Sequence, residues 1–350
     1  MTKNSKSDAV SFVSHHSSFQ SIVGSFPSIV LLKEDVDGLA TFHEACIYHA
    51  ATKSVFVTSN QIPLPNGQTD DLTSNKKIVV TRVYDQDDLT KVVSVDVTPQ
   101  DLVMPNGGIN YKSGLLFCAQ GNKSNFPPSG LVYVPNTEPP YSTQYLISSF
   151  HGKAFNSVND VIVHRRDGSI WFTDPCYGYH QGIRPQPELP CQVYRFHPDE
   201  DSIRAMADDF IRPNGLCFSP DLKQLYVTDT GAVSGAEDVP FDQTGKSSIY
   251  AFDILETNHG PFLVNRRLFA FVASGCPDGI KCDTSGNVYS GCGDGVNIWN
   301  PGGVLIGKIL IEGGVANFCF GETGTLYMCN ETRLWKAQLG EHIRGALLGL

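Results

Sequence analysis

The apolar and polar positions of the chain repeat one arrangement six times. A polar residue precedes an apolar stretch of about five residues, then a short turn of Gly, Asp, Ser or Lys, then a second stretch rich in Val, Ile, Phe, Tyr and Leu. The copies start at Glu44, Asn106, Asn159, Asn214, Asp278 and Asn317. Asn159, for example, stands before DVIVHRRDGSIWFTDP, and Asn214 before GLCFSPDLKQLYVTDT. Stretches of this length and composition, joined by such turns, predict a β-hairpin in every copy. The mean spacing is about 55 residues, which leaves room for two more strands per copy, the content of one four-stranded propeller blade. The pattern therefore predicts an all-β, six-bladed β-propeller. Ser28 to Lys33, entered through Pro27, is expected to pair with strands near the C-terminus, because closing the ring removes an exposed sheet edge. Residues 26–350 are read as one propeller domain, and residues 1–25, rich in Ser and His, as a flexible N-terminal arm.

Composition agrees with this reading and narrows the function. Hydrophobic residues make up 41% and charged residues 18% of the chain, while 33 Gly and 21 Pro supply its turns. The formal net charge of -10 opposes a phosphate-backbone partner, so nucleic acid is not expected. Apolar runs such as Leu268 to Ala273 fall far short of the roughly 18 residues of a membrane span. The first 25 residues lack an apolar signal-peptide core of roughly 7–15 residues, so a cytoplasmic location with reduced thiols is expected. None of the 10 cysteines has C-x-x-C spacing, and no zinc or redox role is expected. Cys118, Cys217, Cys282, Cys319 and Cys329 fall on expected strands as small buried hydrophobes.

Equivalent positions of successive blades converge on the central channel of a propeller. The six polar residues are therefore expected to ring one of its mouths. Glu44, Asn159, Asn214 and Asp278 bring two carboxylates and two amide oxygens to that ring, a set suited to one hard divalent cation such as calcium or magnesium. Oxygen shells also accept manganese, iron or zinc. Two plainer readings stand beside this one: Asn and Asp favour tight turns, Asn-Gly and Asp-Gly most of all, and a channel can hold water alone. Asn106 and Asn317 are read as turn residues at the rim. The segment after each hairpin returns to the same mouth, which makes Asn60, Gln120, Tyr177, Tyr179 and His180 candidate substrate contacts, with the rim anchor Asn106 beside them. The stretch from Asp174 to Cys191, with its aromatics and prolines, is expected to form a wall.

Common nucleophile signatures are missing. Gly231 to Gly235 reads GAVSG, with Ser in the wrong place for a G-x-S-x-G elbow, and His43-Glu44 lacks the second His of a zinc helix. GCGDG at 291–295 does not match a dinucleotide or phosphate-binding fingerprint. What remains is metal-assisted chemistry on a small molecule, in which a cation polarises a carbonyl that water attacks.

The motifs FCAQGN (117–122), NSVNDVIVH (156–164), IWFTDPCYGY (170–179), QVYRFHPD (192–199), RPNGLCFSPD (212–221), YVTDTG (226–231) and PDGIKCDTSGNVYSGCGDGVNIWNP (277–301) occur in order. With Glu44 they make the chain resemble the gluconolactonase and senescence-marker-protein family, and most closely the fungal lactonohydrolases, over about residues 40 to 335. The resemblance implies a six-bladed propeller with one catalytic divalent ion, often calcium, held by Glu44, Asn159, Asn214 and Asp278. It also implies Asp278 as general base, with metal-activated water as the competing account. Asp160 and Asp229 are expected to support the ligands from behind. The implied activity is lactone hydrolysis on a small-molecule lactone or ester. Isomerisation or cyclisation with the same ion is one rival, and a non-catalytic ligand- or protein-binding propeller is another. Ala45 and Cys46 replace the Gly-Pro that follows the glutamate in the family, and the leader peptide common among secreted relatives is not expected here.

Overall fold

A computed structural model describes residues 10–86, 88–236 and 238–347. Its strands group into six antiparallel sheets of four or five strands, one per sequence repeat. The innermost strands are Glu44–His49, Pro105–Tyr111, Val161–Val163, Pro213–Phe218, Ile280–Cys282 and Phe318–Phe320, in blades 1 to 6. Around the ring each lies against its neighbour; between blades 5 and 6 a 2.9 Å hydrogen bond from Gly279 N to Ala316 O makes the join.

The apolar core lies between the blades. Each interface holds its own buried cluster, such as Trp171 with Leu216 and Phe218 between blades 3 and 4, and Ile298 with Phe318 and Met328 between blades 5 and 6. This explains why several strands are apolar at nearly every position rather than alternating. Ser54–Thr58 and Gly114–Ala119 are buried at every residue, because both faces of each central strand meet another sheet.

Blade 6 is completed by Ser28–Glu34, which pairs with Arg333–Gln338 from Ser28 opposite Gln338 to Glu34 opposite Arg333. This is the expected closure. The expected flexible arm is corrected from Val10 onward, and residues 1–9 lie outside the described residues. Val10–Ser14 forms a fifth strand on blade 5, paired with Leu305–Ile311. A short helix, Phe19–Val23, then buries Phe19, Ile22 and Val23 in the cluster between blades 5 and 6. Gly307 makes the seat for Phe19, since a Cβ there would stand 2.3 Å from the aromatic ring. Polar Ser and His residues mask a segment in which Val10, Phe12, Phe19, Ile22 and Val23 pack on the cluster between blades 5 and 6.

Candidate active site

The six anchors stand at the entrances of their innermost strands. Glu44, Asn159, Asn214 and Asn317 are buried, while Asp278 and Asn106 are half-buried. The glycine after three of them answers a close approach between blades rather than a tight turn. A Cβ on Gly107 would lie 2.4 Å from Asn159 O, one on Gly215 2.4 Å from Asp278 O, and one on Gly279 2.3 Å from Asn317 Oδ1. In blade 1 the equivalent step is made by Ala45 and Cys46, both left-handed at φ 59 and 53. They form a bulge between Glu44 and Ile47 that keeps Glu44 paired with Thr58.

Two devices hold the anchors in place. Asp174 accepts hydrogen bonds from the backbone N–H of Asn156 (2.9 Å) and Ser157 (2.8 Å), three and two residues before Asn159. Asp229 does the same for Ile211 (3.1 Å) and Arg212 (2.9 Å), at the same offsets before Asn214. Threonines on the second strands latch onto the next anchor: Thr58 donates to Asn106 O, Thr173 to Asn214 O (2.7 Å) and Thr228 to Asp278 O (3.0 Å). Each anchor backbone so treated is fixed from a neighbouring strand or blade.

A cavity of about 250 Å³ opens at this mouth. Glu44, Asn159, Asn214 and Asp278 all line it, as do Asn60, Asn106, Gln120 and Tyr177. Tyr179 and His180 do not. They are exposed on the one-turn helix Tyr177–His180, whose buried residues are Tyr177 and Gly178. Asp229 serves the clamp just described, and Asp160 accepts from Val161 N (2.8 Å) and lies 3.9 Å from Lys281 Nζ.

Sequence reasoning missed three participants. Asn317 Nδ2 donates to Glu44 Oε2 at 2.7 Å, so a residue read as a rim turn orients a ring carboxylate. Glu331, in the turn after the second strand of blade 6, bridges His43 Nδ1 (2.7 Å) and Asn60 Nδ2 (3.2 Å). Gln61 Nε2 donates to Gln181 Oε1 at 2.7 Å and joins blade 1 to the Asp174–Cys191 segment. The position of Asn317 in the repeat was its signal; Glu331 and the glutamines lie in turns outside the repeat and had none.

The ring is crowded with negative charge. Burial, and then the charge of Glu44, pushes Asp278 well above the usual carboxylate range. Burial raises Glu44 as well, with His43 opposing it. Burial would lower the His43 imidazole, yet Glu331, joined by Glu44 and Asp278, lifts it to about 10. Asn159 Oδ1 and Asp278 Oδ1 are buried oxygens with no hydrogen-bond partner. Unpartnered buried oxygens beside mutually repelling carboxylates fit a hard cation, which would satisfy the first and relieve the second. The described residues contain no group of three or more His, Cys, Asp or Glu arranged for a metal; this donor set mixes carboxylates with amides.

Fold and mouth together define a six-bladed propeller with an oxygen-lined polar site on its channel. The SMP-30/Gluconolactonase/LRE-like region family model matches residues 72–331, and the chain belongs to that family. It is 34% identical over 199 residues to lactonohydrolase oryL of Aspergillus oryzae, covering 52% of this chain and 44% of that protein. It is 33% identical over 196 residues to the gluconolactonase of Zymomonas mobilis, covering 52% of this chain and 50% of that one. The chain thus spans about half the length of these curated relatives. The solved structure of a gluconolactonase from Xanthomonas campestris superposes with a TM-score of 0.70 at 27% identity, covering 94% of each chain. No helix among the described residues is long and apolar enough to cross a membrane.

Proposed function

We propose that this chain hydrolyses a small-molecule lactone at the cavity ringed by Glu44, Asn159, Asn214 and Asp278. The observation that carries the reading is the pair of buried, unpartnered oxygens, Asn159 Oδ1 and Asp278 Oδ1, at the mouth of a gluconolactonase-family propeller. The four residues would hold a hard divalent cation, calcium first among those the oxygen donors accept. Bound there, such an ion supplies Lewis-acid polarisation of the lactone carbonyl. Asp278 takes the proton of the attacking water through the carboxylate oxygen not turned to the ion. Asn317 keeps Glu44 turned to the ring, and Glu331 keeps His43 and Asn60 in fixed orientations on the cavity wall. Asn106, Gln120 and Tyr177 contact the substrate; Asn60 has one amide oxygen committed to Gln61 N and presents its remaining N–H.

Metal content and lactone opening, measured together on wild type and on Glu44→Gln and Asp278→Asn, test the reading. Wild type is expected to carry one divalent ion and open a lactone. Glu44→Gln is expected to lose metal, and Asp278→Asn to lose turnover by about a hundredfold or more. Metal-free wild type, with activity untouched in both variants, would overturn the proposal.

A further inference from the structure

We propose that Cys176 and Cys191 are the site of an intramolecular disulfide that ties together the two ends of the segment forming one wall of the cavity. Their sulfurs lie 3.2 Å apart, and both residues are half-buried. Bond formation brings them together by about 1 Å, within reach of side-chain rotation. The sheet supplies the proximity: Asp174 pairs with Gln192 at the ends of adjacent strands of blade 3, so the two cysteines are delivered side by side as the strands part. The chain between them is pinned on both flanks. Asn156 Nδ2 donates to Leu189 O (3.1 Å), and Ser157 Oγ donates to Pro175 O (2.8 Å). Tyr177 and Gln181, carried by this segment, line the cavity.

Other thiols approach one another too, among them Cys46 with Cys319 at 3.5 Å and Cys217 with Cys282 at 3.6 Å. These four sulfurs sit in the apolar clusters between blades, with Cys46, Cys217 and Cys282 at most 2% and Cys319 6% exposed, so they meet a dissolved oxidant less readily than the half-buried pair. Accessibility therefore singles out Cys176 and Cys191. The neighbouring Cys191 thiol, against the effect of burial, holds Cys176 below the ordinary thiol range, with Arg212 adding to the effect. Cys176 is accordingly the attacking sulfur. With a small disulfide such as oxidised glutathione as oxidant, the Cys176 thiolate displaces one glutathione thiolate and forms a mixed disulfide. Cys191, giving up its proton, then displaces the second glutathione. One S–S bond breaks, one forms, and the two electrons and two protons leave on two glutathione thiols.

The test uses the full chain, equilibrated with oxidised glutathione, quenched with a maleimide, unfolded, digested and mapped by mass. A linked Cys176–Cys191 peptide lighter by two hydrogens, with loss of maleimide from those two positions alone, is expected. In Cys191→Ser the same treatment should leave glutathione on Cys176. The proposal fails if both cysteines of the wild type still take up maleimide in fully oxidising buffer. It fails equally if they carry separate glutathione adducts or if the crosslink joins other cysteines.

Discussion

Carboxylates in this propeller do two different jobs, and their partners tell them apart. Asp167, in the hairpin turn of blade 3, accepts from Ser169 N (2.9 Å) and Ser169 Oγ (2.7 Å) and pairs with His164 (2.7 Å) and Arg195 (3.1 Å). Burial opposes its ionisation, yet these partners hold it well below the usual carboxylate range. A depressed folded value means that its contribution to stability is complete above the unfolded value near 3.8 and is lost as the pH falls below it. Asp167→Asn should therefore lower the melting temperature at pH 7 and leave a shallower loss between about pH 4 and pH 2. Thermal melts across that range check it; parallel acid limbs would contradict the assignment. Glu44 and Asp278 are the opposite case: burial raises both, with Asp160 adding to Glu44 and Glu44 adding to Asp278, and both line the cavity. Sequence spacing picked out the ring carboxylates, because they stand at the equivalent position before each blade's first strand. It misplaced Tyr179 and His180, since being near a mouth in the chain does not say which way a single helical turn faces.

At the scale of elements, the short helix Phe19–Val23 is held by its buried face rather than by its own hydrogen bonds. Phe19 is 2% exposed, and truncating a fully packed phenylalanine costs about 3–5 kcal/mol. Phe19→Ala should lower the denaturant midpoint accordingly and detach the segment that links Val10–Ser14 to Ser28–Glu34. Hydrogen exchange would show protection lost first in Val10–Ser14, and unchanged protection there would argue that the fifth strand stands without the helix. The hairpins themselves were readable, because two short apolar runs with a Gly, Asp or Lys turn admit few alternatives. Val10–Ser14 was not: VSFVS is an edge strand with one face open, and its alternation is too short to stand out among Ser and His.

For the whole molecule, the legible part of the fold was the count of blades and the closing strand from Ser28. The wall made by Gln61, Gln181 and Glu331 came only with three-dimensional contact, because its members sit in irregular turns of three separate blades or segments. Removal of residues through Ser14 should leave a closed ring with a modestly lower melting temperature. Removal through Glu34 should leave Arg333–Gln338 as an open edge and drive self-association. Size-exclusion chromatography of the two truncations distinguishes them, and a monomeric second truncation would show that the outer strand is dispensable to closure.

The double grip of residues 10–34 on blades 5 and 6 also sets a schedule. Val10–Ser14 and Ser28–Glu34 pair with strands about 300 residues further along, so the ring cannot shut until blades 5 and 6 have been made. Until Arg333–Gln338 is made, Ser28–Glu34 is a strand waiting for its partner. Joining residue 350 to residue 1 and reopening the chain between two blades would bring that strand within about 40 residues of Arg333–Gln338 in sequence, so the two could pair soon after both are made.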